Sequence, residues 1–137
     1  MKALLLNVKK YKIEITGLAT KPEGISPEEV KEKTQEVKDA ILAFITLEDG
    51  DTKGKAIQLK EDLLKMASQT KRERVIICPF AHLSNNLASS NLSLEILNEL
   101  HNILKEEIET HRTHFGSDKS LLLDIPGHIG NIRFREF

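Results

Sequence analysis

The sequence predicts a mixed α+β domain, in which a mixed sheet or partly closed barrel packs against two long helices. Short apolar runs typical of buried strands recur along the chain, and two longer stretches repeat their apolar residues at helical spacing. Alternating segments near both ends indicate hairpins. With 137 residues, the chain is long enough for a single domain with a substantial core, which we expect to span 1–137.

The N-terminal part is predicted to begin with a hairpin. Residues 3–8 form an apolar run and residues 11–16 alternate apolar with polar side chains, so the two segments are expected to pair as neighbouring strands. A loop rich in Gly, Pro and Thr follows over 17–26. The motif SPEE then predicts a short charged helix, with Ser26 as its N-cap and a proline at its first position.

The middle of the chain predicts a strand, a helix and a second strand. An apolar run over 39–47 indicates a buried strand, and a turn at 48–51 separates it from an amphipathic helix over 52–69. The β-branched run at 75–78 predicts a strand buried on both faces. Pro79 cannot donate a ladder hydrogen bond, so this strand should end there.

The C-terminal part predicts a second long helix followed by three strands. These elements are a helix that begins at Ser90 or Ser93, a strand at 109–115, a buried strand at 120–125 and an edge strand at 132–137.

Composition narrows the possible functions. The formal net charge is −1, so no overall positive field recruits nucleic acid. Any phosphate contact would depend on local basic residues, which are Lys71, Arg72, Arg74, Arg133 and Arg135. The single cysteine, Cys78, excludes an internal disulfide framework and fits a reducing cytosol. The apolar start at 3–6 is too short for a signal peptide or a membrane span, so we expect a cytoplasmic protein without membrane contact.

Two positions in the sequence have side chains suited to chemistry. His82 lies in a polar turn just past the central strand, where α/β domains place binding groups. Lys119 precedes an apolar strand, and an ammonium there can bind an anion, orient a water or stabilise an oxyanion. Burial would lower the pKa of Lys119 and allow it to act as a base. The structural alternatives are a packing histidine and a solvated lysine.

No metal site or cofactor is expected. His111 and His114 lie three residues apart on a predicted strand, which directs their side chains to opposite faces. The sequence contains no G-x-S-x-G elbow, P-loop or dinucleotide fingerprint, which argues against serine hydrolases, NTPases and NAD enzymes.

Three motifs in this order resemble a known family. PFAHLS at 79–84, FGxxK at 115–119 and GH at 127–128, together with the MKALLLN and AFITLE strands, are similar to the N-terminal editing domain of archaeal-type threonyl-tRNA synthetases. The likeness covers nearly the whole chain and implies the fold of D-aminoacyl-tRNA deacylases. Domains of this family remove serine mischarged onto threonine tRNA, so the resemblance implies an ester hydrolase that proofreads aminoacyl-tRNA during protein biosynthesis.

The resemblance also implies roles for individual residues. His82 would line the pocket and limit the size of the amino-acid side chain, and Lys119 would position the substrate and the attacking water. Backbone groups around Ala81 and Leu47 would hold the amino acid. The other substrate-binding positions in the motifs are Pro79, Phe80, Ser84, Gly116 and His128. The family also uses the terminal ribose hydroxyl of the tRNA, so the protein need not supply a nucleophile.

The expected partners are the aminoacylated 3′ end of tRNA, serine as a ligand and a second copy of the chain. Domains like this one are commonly dimers, and edge strands at both chain ends offer pairing surfaces.

The sequence departs from the family pattern at several places. Ser117 and Asp118 stand where archaeal editing domains usually have aromatic residues, IGNIRFREF replaces a segment with a glutamate and a serine-arginine pair, and the first strand ends at Asn7 without the family's histidine-serine-aspartate turn. Two alternatives therefore stay open: a D-aminoacyl-tRNA deacylase or another trans-editing specificity, and a non-catalytic module that binds an amino acid or a tRNA end. The sequence also leaves open whether the domain belongs to a full synthetase or is free-standing.

Overall fold

The computed structural model describes residues 1–137 and confirms the predicted mixed α+β fold class, a mixed sheet with two long helices. The elements in chain order are β1 (Lys2–Leu18), β2 (Thr34–Thr46), α1 (Lys53–Thr70), β3 (Arg74–Pro79), α2 (Ser90–Lys105), β4 (Glu109–Arg112), β5 (Ser117–Asp124), a 3-10 turn (Ile129–Asn131) and β6 (Ile132–Glu136).

Strand β1 is the centre of the sheet. It pairs antiparallel with β2 along one side, and on its other side with β6 at its start and β5 at its end, while β3 and β4 extend the sheet in parallel beyond β2. The hairpins predicted near both ends are wrong. At the N-terminal end, neither Lys9 nor Lys10 favours a turn, and the strand runs straight through them. At the C-terminal end, β5 and β6 both pair with β1 and not with each other. Lys10 pairs with Lys38 on one side and Asp124 on the other.

The sheet curls near Asp39. This residue has a left-handed φ of 52°, which interrupts the alternation of side chains along β2. Val37 and Ala40 are three residues apart and would face opposite sides of a regular strand, yet both are buried in the same apolar cluster. Arg72 stabilises the bend, because its guanidinium donates to Asp39 Oδ1 at 3.1 Å and to Asn7 Oδ1 at 2.7 Å.

Two apolar cores lie on opposite faces of the sheet. On one face the helices cover strand residues such as Leu5, Ile41 and Ile77. On the other face the curled sheet encloses Tyr11, Leu42 and Ile76 without any helix. Both helices therefore pack on a single side, and neither is long and apolar enough to cross a membrane.

Both predicted long helices are confirmed to within a few residues. Helix α1 follows Thr52, and helix α2 follows Ser89, whose hydroxyl accepts a hydrogen bond from the Leu92 N–H at 3.2 Å. This N-cap satisfies one of the amides that a helix start leaves without a partner.

Two other predictions for local structure are wrong. The motif SPEE forms no helix but belongs to an irregular loop over 19–33, because the acid expected in the first helical turn, Glu28, instead binds Arg112 far along the chain. Strand β5 is not buried, since Leu121 and Leu122 are 46% and 51% exposed. β5 lies at the edge of the sheet beside β1, with no further strand beyond it, and its two adjacent leucines, which point to opposite faces of the sheet, are both exposed.

Candidate active site

A cavity of about 570 Å³ opens at the edge of the sheet where β2 and β3 end. These two strands are parallel, so their carboxyl ends meet at one edge, where α/β sheets commonly bind ligands. The loop at 19–25, the first turns of α2 and the segment 115–121 complete the lining.

The buried hydroxyl of Thr46 holds the turn that follows β3. It donates to the carbonyl of Phe80 and accepts from the Leu83 N–H at 3.3 Å, while the Phe80 N–H donates to the Ile45 carbonyl at 2.9 Å. These bonds fix the backbone on both sides of His82.

Aromatic packing orients His82. Its ring lies edge-on to the ring of Phe80, with centroids 5.0 Å apart and planes at 75°, and Phe80 in turn contacts Phe44 at 4.7 Å. Edge-to-face contacts of this kind favour one ring orientation. The imidazole is therefore positioned on the cavity lining although the residue is exposed.

Lys119 lies on β5 opposite Ile15 and is half-buried in the same lining. Its Nζ donates to the Ser117 carbonyl at 3.0 Å and is absent from the chain's lysine–carboxylate ion pairs. Burial lowers the pKa of Lys119, and nearby acidic groups, Cys78 first and then Asp118, oppose that shift. An ammonium has three donors, so two are available to a ligand in the cavity.

The single cysteine also reaches the cavity, but it is not suited to act as a nucleophile. Cys78 is 2% exposed, and its Sγ contacts the Tyr11 hydroxyl at 3.6 Å. Burial raises the pKa of the Cys78 thiol, so the protonated form prevails at neutral pH, whereas reactive cysteines depend on a thiolate. The Tyr11 hydroxyl is itself held by Thr113 at 2.6 Å.

The structure brings together most of the residues that the motifs singled out. Those that line the cavity are Leu47, Pro79, Phe80, Ala81, His82, Gly116 and Lys119.

Ser84 and His128 are not part of that lining. The Ser84 hydroxyl donates to Glu48 Oε1 at 2.7 Å. His128 lies in the turn before β6, where its Nδ1 accepts from the Gly130 N–H at 3.0 Å.

Sequence reasoning missed part of the lining. It did not single out Thr46, although a hydroxyl at the end of an apolar strand is a recognisable signal for a local hydrogen-bonding role. It named Ser90 and Ser93 only as possible helix starts and 17–26 only as a loop. It did not place either segment at the site, because no local pattern indicates that they meet.

Most of the basic residues considered for phosphate contact bind protein groups. Arg74 pairs with Glu109 at 2.7 Å and Arg135 with Asp62 at 3.4 Å, while Arg133 donates to Gln69 at 2.7 Å. No group of three or more His, Cys, Asp or Glu side chains is arranged to hold a metal ion.

Comparison with known proteins places this geometry in context. Residues 1–135 match the family described as the archaea-specific editing domain of threonyl-tRNA synthetase. The chain is 37% identical over 102 residues to the threonine–tRNA ligase editing subunit of Saccharolobus solfataricus, an alignment that covers 74% of this chain and 26% of that protein. It is 37% identical over 136 residues to the threonine–tRNA ligase of Thermococcus gammatolerans, covering 93% of this chain and 21% of the ligase. The chain thus spans about a quarter or less of the length of these relatives.

A solved structure gives an independent comparison of the fold. The c-Myc DNA unwinding element binding protein superposes with a TM-score of 0.72, covering 100% of this chain and 99% of that one, at 11% sequence identity. At such low identity the likeness concerns the fold alone.

Proposed function

Because the chain belongs to the family of archaea-specific editing domains of threonyl-tRNA synthetase, we propose that it hydrolyses the ester of serine mischarged onto threonine tRNA. The observation that carries this proposal is the shared cavity, whose lining contains both the half-buried Lys119 and the exposed His82. Such a site combines a partly desolvated cation with an oriented imidazole at the end of a rigid sheet.

Serine and threonine differ by one methyl group, so a synthetic site separates them by only about 1–3 kcal/mol. A second pocket that admits the smaller side chain and hydrolyses its ester corrects the remaining errors. In the proposed site His82 limits the side-chain size, and backbone groups of Ala81 and Leu47 hold the amino acid. Pro79, Phe80 and Gly116 shape the surrounding wall, and all of these residues line the cavity.

Lys119 contributes to the hydrolysis as a positioned cation. A water attacks the ester carbonyl carbon and gives up a proton, and negative charge develops on the carbonyl oxygen. The bond to the ribose oxygen then breaks, and the ribose oxygen takes up the proton that the water released. The half-buried ammonium of Lys119 stabilises the developing oxyanion. The protonated Cys78 is not required as a nucleophile, and the neighbouring ribose hydroxyl of the tRNA assists the water.

A panel of charged tRNAs tests the proposal. The chain should deacylate L-Ser-tRNA(Thr) much faster than L-Thr-tRNA(Thr) or the D-aminoacyl esters. Preferential cleavage of D-aminoacyl esters would support the deacylase alternative instead. Calorimetric binding of serine without turnover of any ester would identify a non-catalytic binding module and overturn the hydrolase.

We further propose that two copies of the chain associate in the cytoplasm. Strand β1 lies inside the sheet, so of the two terminal strands only β6 offers an edge. On that strand Ile132 and Phe134 are 56% and 50% exposed, which supports an apolar contact. Sedimentation should show a dimer that Phe134→Glu dissociates. A wild-type chain that is monomeric at all concentrations would contradict the proposed dimer.

A further inference from the structure

The carboxylate of Glu28 connects two segments that are distant in sequence. Arg112 Nη1 and Nη2 donate to its two oxygens at 2.8 and 2.7 Å, and the Phe115 N–H donates to Oε1 at 2.7 Å. The Glu28 carbonyl is also 2.8 Å from His114 Nε2. This bidentate pair with an added backbone donor is the strong geometry for a charge-assisted contact.

Both segments that Glu28 joins line the cavity. The loop at 19–33 contributes residues 19–22 and Ile25, and the segment after Arg112 contributes residues 115–119, including Lys119. The loop has no regular secondary structure, so its position depends on a few contacts, and those of Glu28 form the densest group.

The charge on Glu28 is stabilised by these same contacts. Burial by itself raises the pKa of Glu28, but the hydrogen bonds from Arg112 and the Phe115 N–H outweigh it and the pKa is lowered. The carboxylate therefore remains ionised while partly buried. Loss of either partner would leave an uncompensated charge, which is more costly than loss of an exposed pair.

We infer that Glu28 and Arg112 are positioning residues of the editing site, which hold the loop at 19–33 against the segment that contains Lys119. Neither residue is part of the cavity lining, so they act through the placement of Lys119 and of the loop. This inference rests on the proposed function for its catalytic readout, whereas its structural readout is independent of that function.

The catalytic test compares Glu28→Ala and Glu28→Gln with a matched control. Misplacement of a catalytic group by about 1 Å lowers turnover about 100-fold, so Glu28→Ala should reduce kcat for Ser-tRNA(Thr) by about 10- to 100-fold. Glu28→Gln retains one acceptor for Phe115 and Arg112 and should fall between the alanine variant and the wild type. The control Glu109→Ala breaks the ion pair with Arg74, whose N–O distance of 2.7 Å equals that of the Arg112–Glu28 pair. It should change kcat less than about twofold, because surface ion pairs contribute little to stability.

The structural test uses Cys78 as a reporter, because it is the single thiol and lines the cavity. Release of the loop should expose the Cys78 thiol to iodoacetamide. A fall of about 1.4 kcal/mol in the free energy of opening corresponds to a tenfold change in rate. Below the unfolding transition, Cys78 in Glu28→Ala should therefore be alkylated at least about tenfold faster than in the wild type. Glu109→Ala should react at the wild-type rate. Circular dichroism melts identify variants that unfold globally.

The outcomes separate the inference from the proposed function. If Glu28→Ala is folded, and both its alkylation rate and its kcat equal those of the wild type, the positioning role is overturned. If Glu28→Ala does not fold, Arg112→Lys applies the same test, because lysine keeps the charge but cannot form the bidentate contact. If the wild type deacylates no ester, the proposed function fails, yet faster alkylation of Cys78 would still support the structural half.

Discussion

A Cβ atom on Gly116 would lie 2.7 Å from the Cα of Pro27 and 2.9 Å from its Cβ. Gly116 also has a left-handed φ of 86°, a conformation that is unfavourable for residues with a Cβ atom. The close approach lets the loop at 19–33 pack on the segment before Lys119, and the Ala19 N–H donates to the Gly116 carbonyl at 3.0 Å.

Gly116→Ala should therefore destabilise the domain. The left-handed backbone costs about 1–2 kcal/mol for a residue with a Cβ, and displacement of Pro27 adds to that. Urea unfolding should show the loss, together with slower deacylation because the loop shifts. Gly127→Ala is the control, since a Cβ there meets no atom within 4 Å. Equal stability of the two variants would refute the role of this contact.

Lys119→Met should abolish most of the hydrolysis without unfolding the protein. Methionine keeps an unbranched apolar side chain, one atom shorter, but removes the charge. The loss of one oxyanion donor lowers kcat by about 10²–10³. Single-turnover deacylation of Ser-tRNA(Thr) measures the effect. Lys12→Met, at an exposed position on β1, provides the matched control. Full activity of Lys119→Met would exclude the proposed mechanism.

Thr46→Val should lower the stability of the domain and loosen the turn after β3 that carries His82. The substitution keeps the volume but leaves the Phe80 carbonyl and the Leu83 N–H without their partner. An unsatisfied buried polar group costs about 1–3 kcal/mol, so the midpoint of thermal unfolding should fall. Thr70→Val removes a hydroxyl that donates to the Met66 carbonyl at 2.8 Å, with a longer contact to the Ala67 carbonyl at 3.5 Å, in the last turn of α1. No backbone N–H loses an acceptor there, so this substitution should cost less. A reversed order of the two variants would contradict this account of the turn.

Protonation of the Glu48 carboxylate should account for part of the loss of domain stability in acid. Hydrogen bonds from the Met1 ammonium and the Ser84 hydroxyl lower the pKa of Glu48 to about 2 from its ordinary 4.5. When folding lowers the pKa of a carboxyl group, its full stabilising contribution is present at pH values above the pKa that it has in the unfolded chain. For Glu48 this contribution is lost as the pH falls from 4.5 towards about 2.

Urea unfolding of wild type and Glu48→Gln between pH 7 and pH 2 measures this linkage. The deficit of the variant should be largest above pH 4.5 and should shrink towards about pH 2. A deficit that stays constant over this range would show that the ionisation of Glu48 is not linked to folding.

Elements defined by neighbouring residues were predictable from the sequence. Helices α1 and α2 show their apolar residues at helical spacing, and the polar residues before them mark where each begins. The run at 75–78 likewise indicates a strand that ends at Pro79, and β3 ends there. The order of PFAHLS, FGxxK and GH was sufficient to indicate the family, because each motif is local.

Contacts between distant residues were not predictable in this way. Arg112 is 84 residues from Glu28, and its contact replaces the helix that SPEE would otherwise start. The pairing of β1 with three strands replaces the expected hairpin. By itself the sequence determined the two helices, the central strand and the family, since periodicity and motifs are written in adjacent positions. Only the tertiary structure decided which groups share the cavity, because burial and long-range hydrogen bonds depend on partners that a local pattern does not contain.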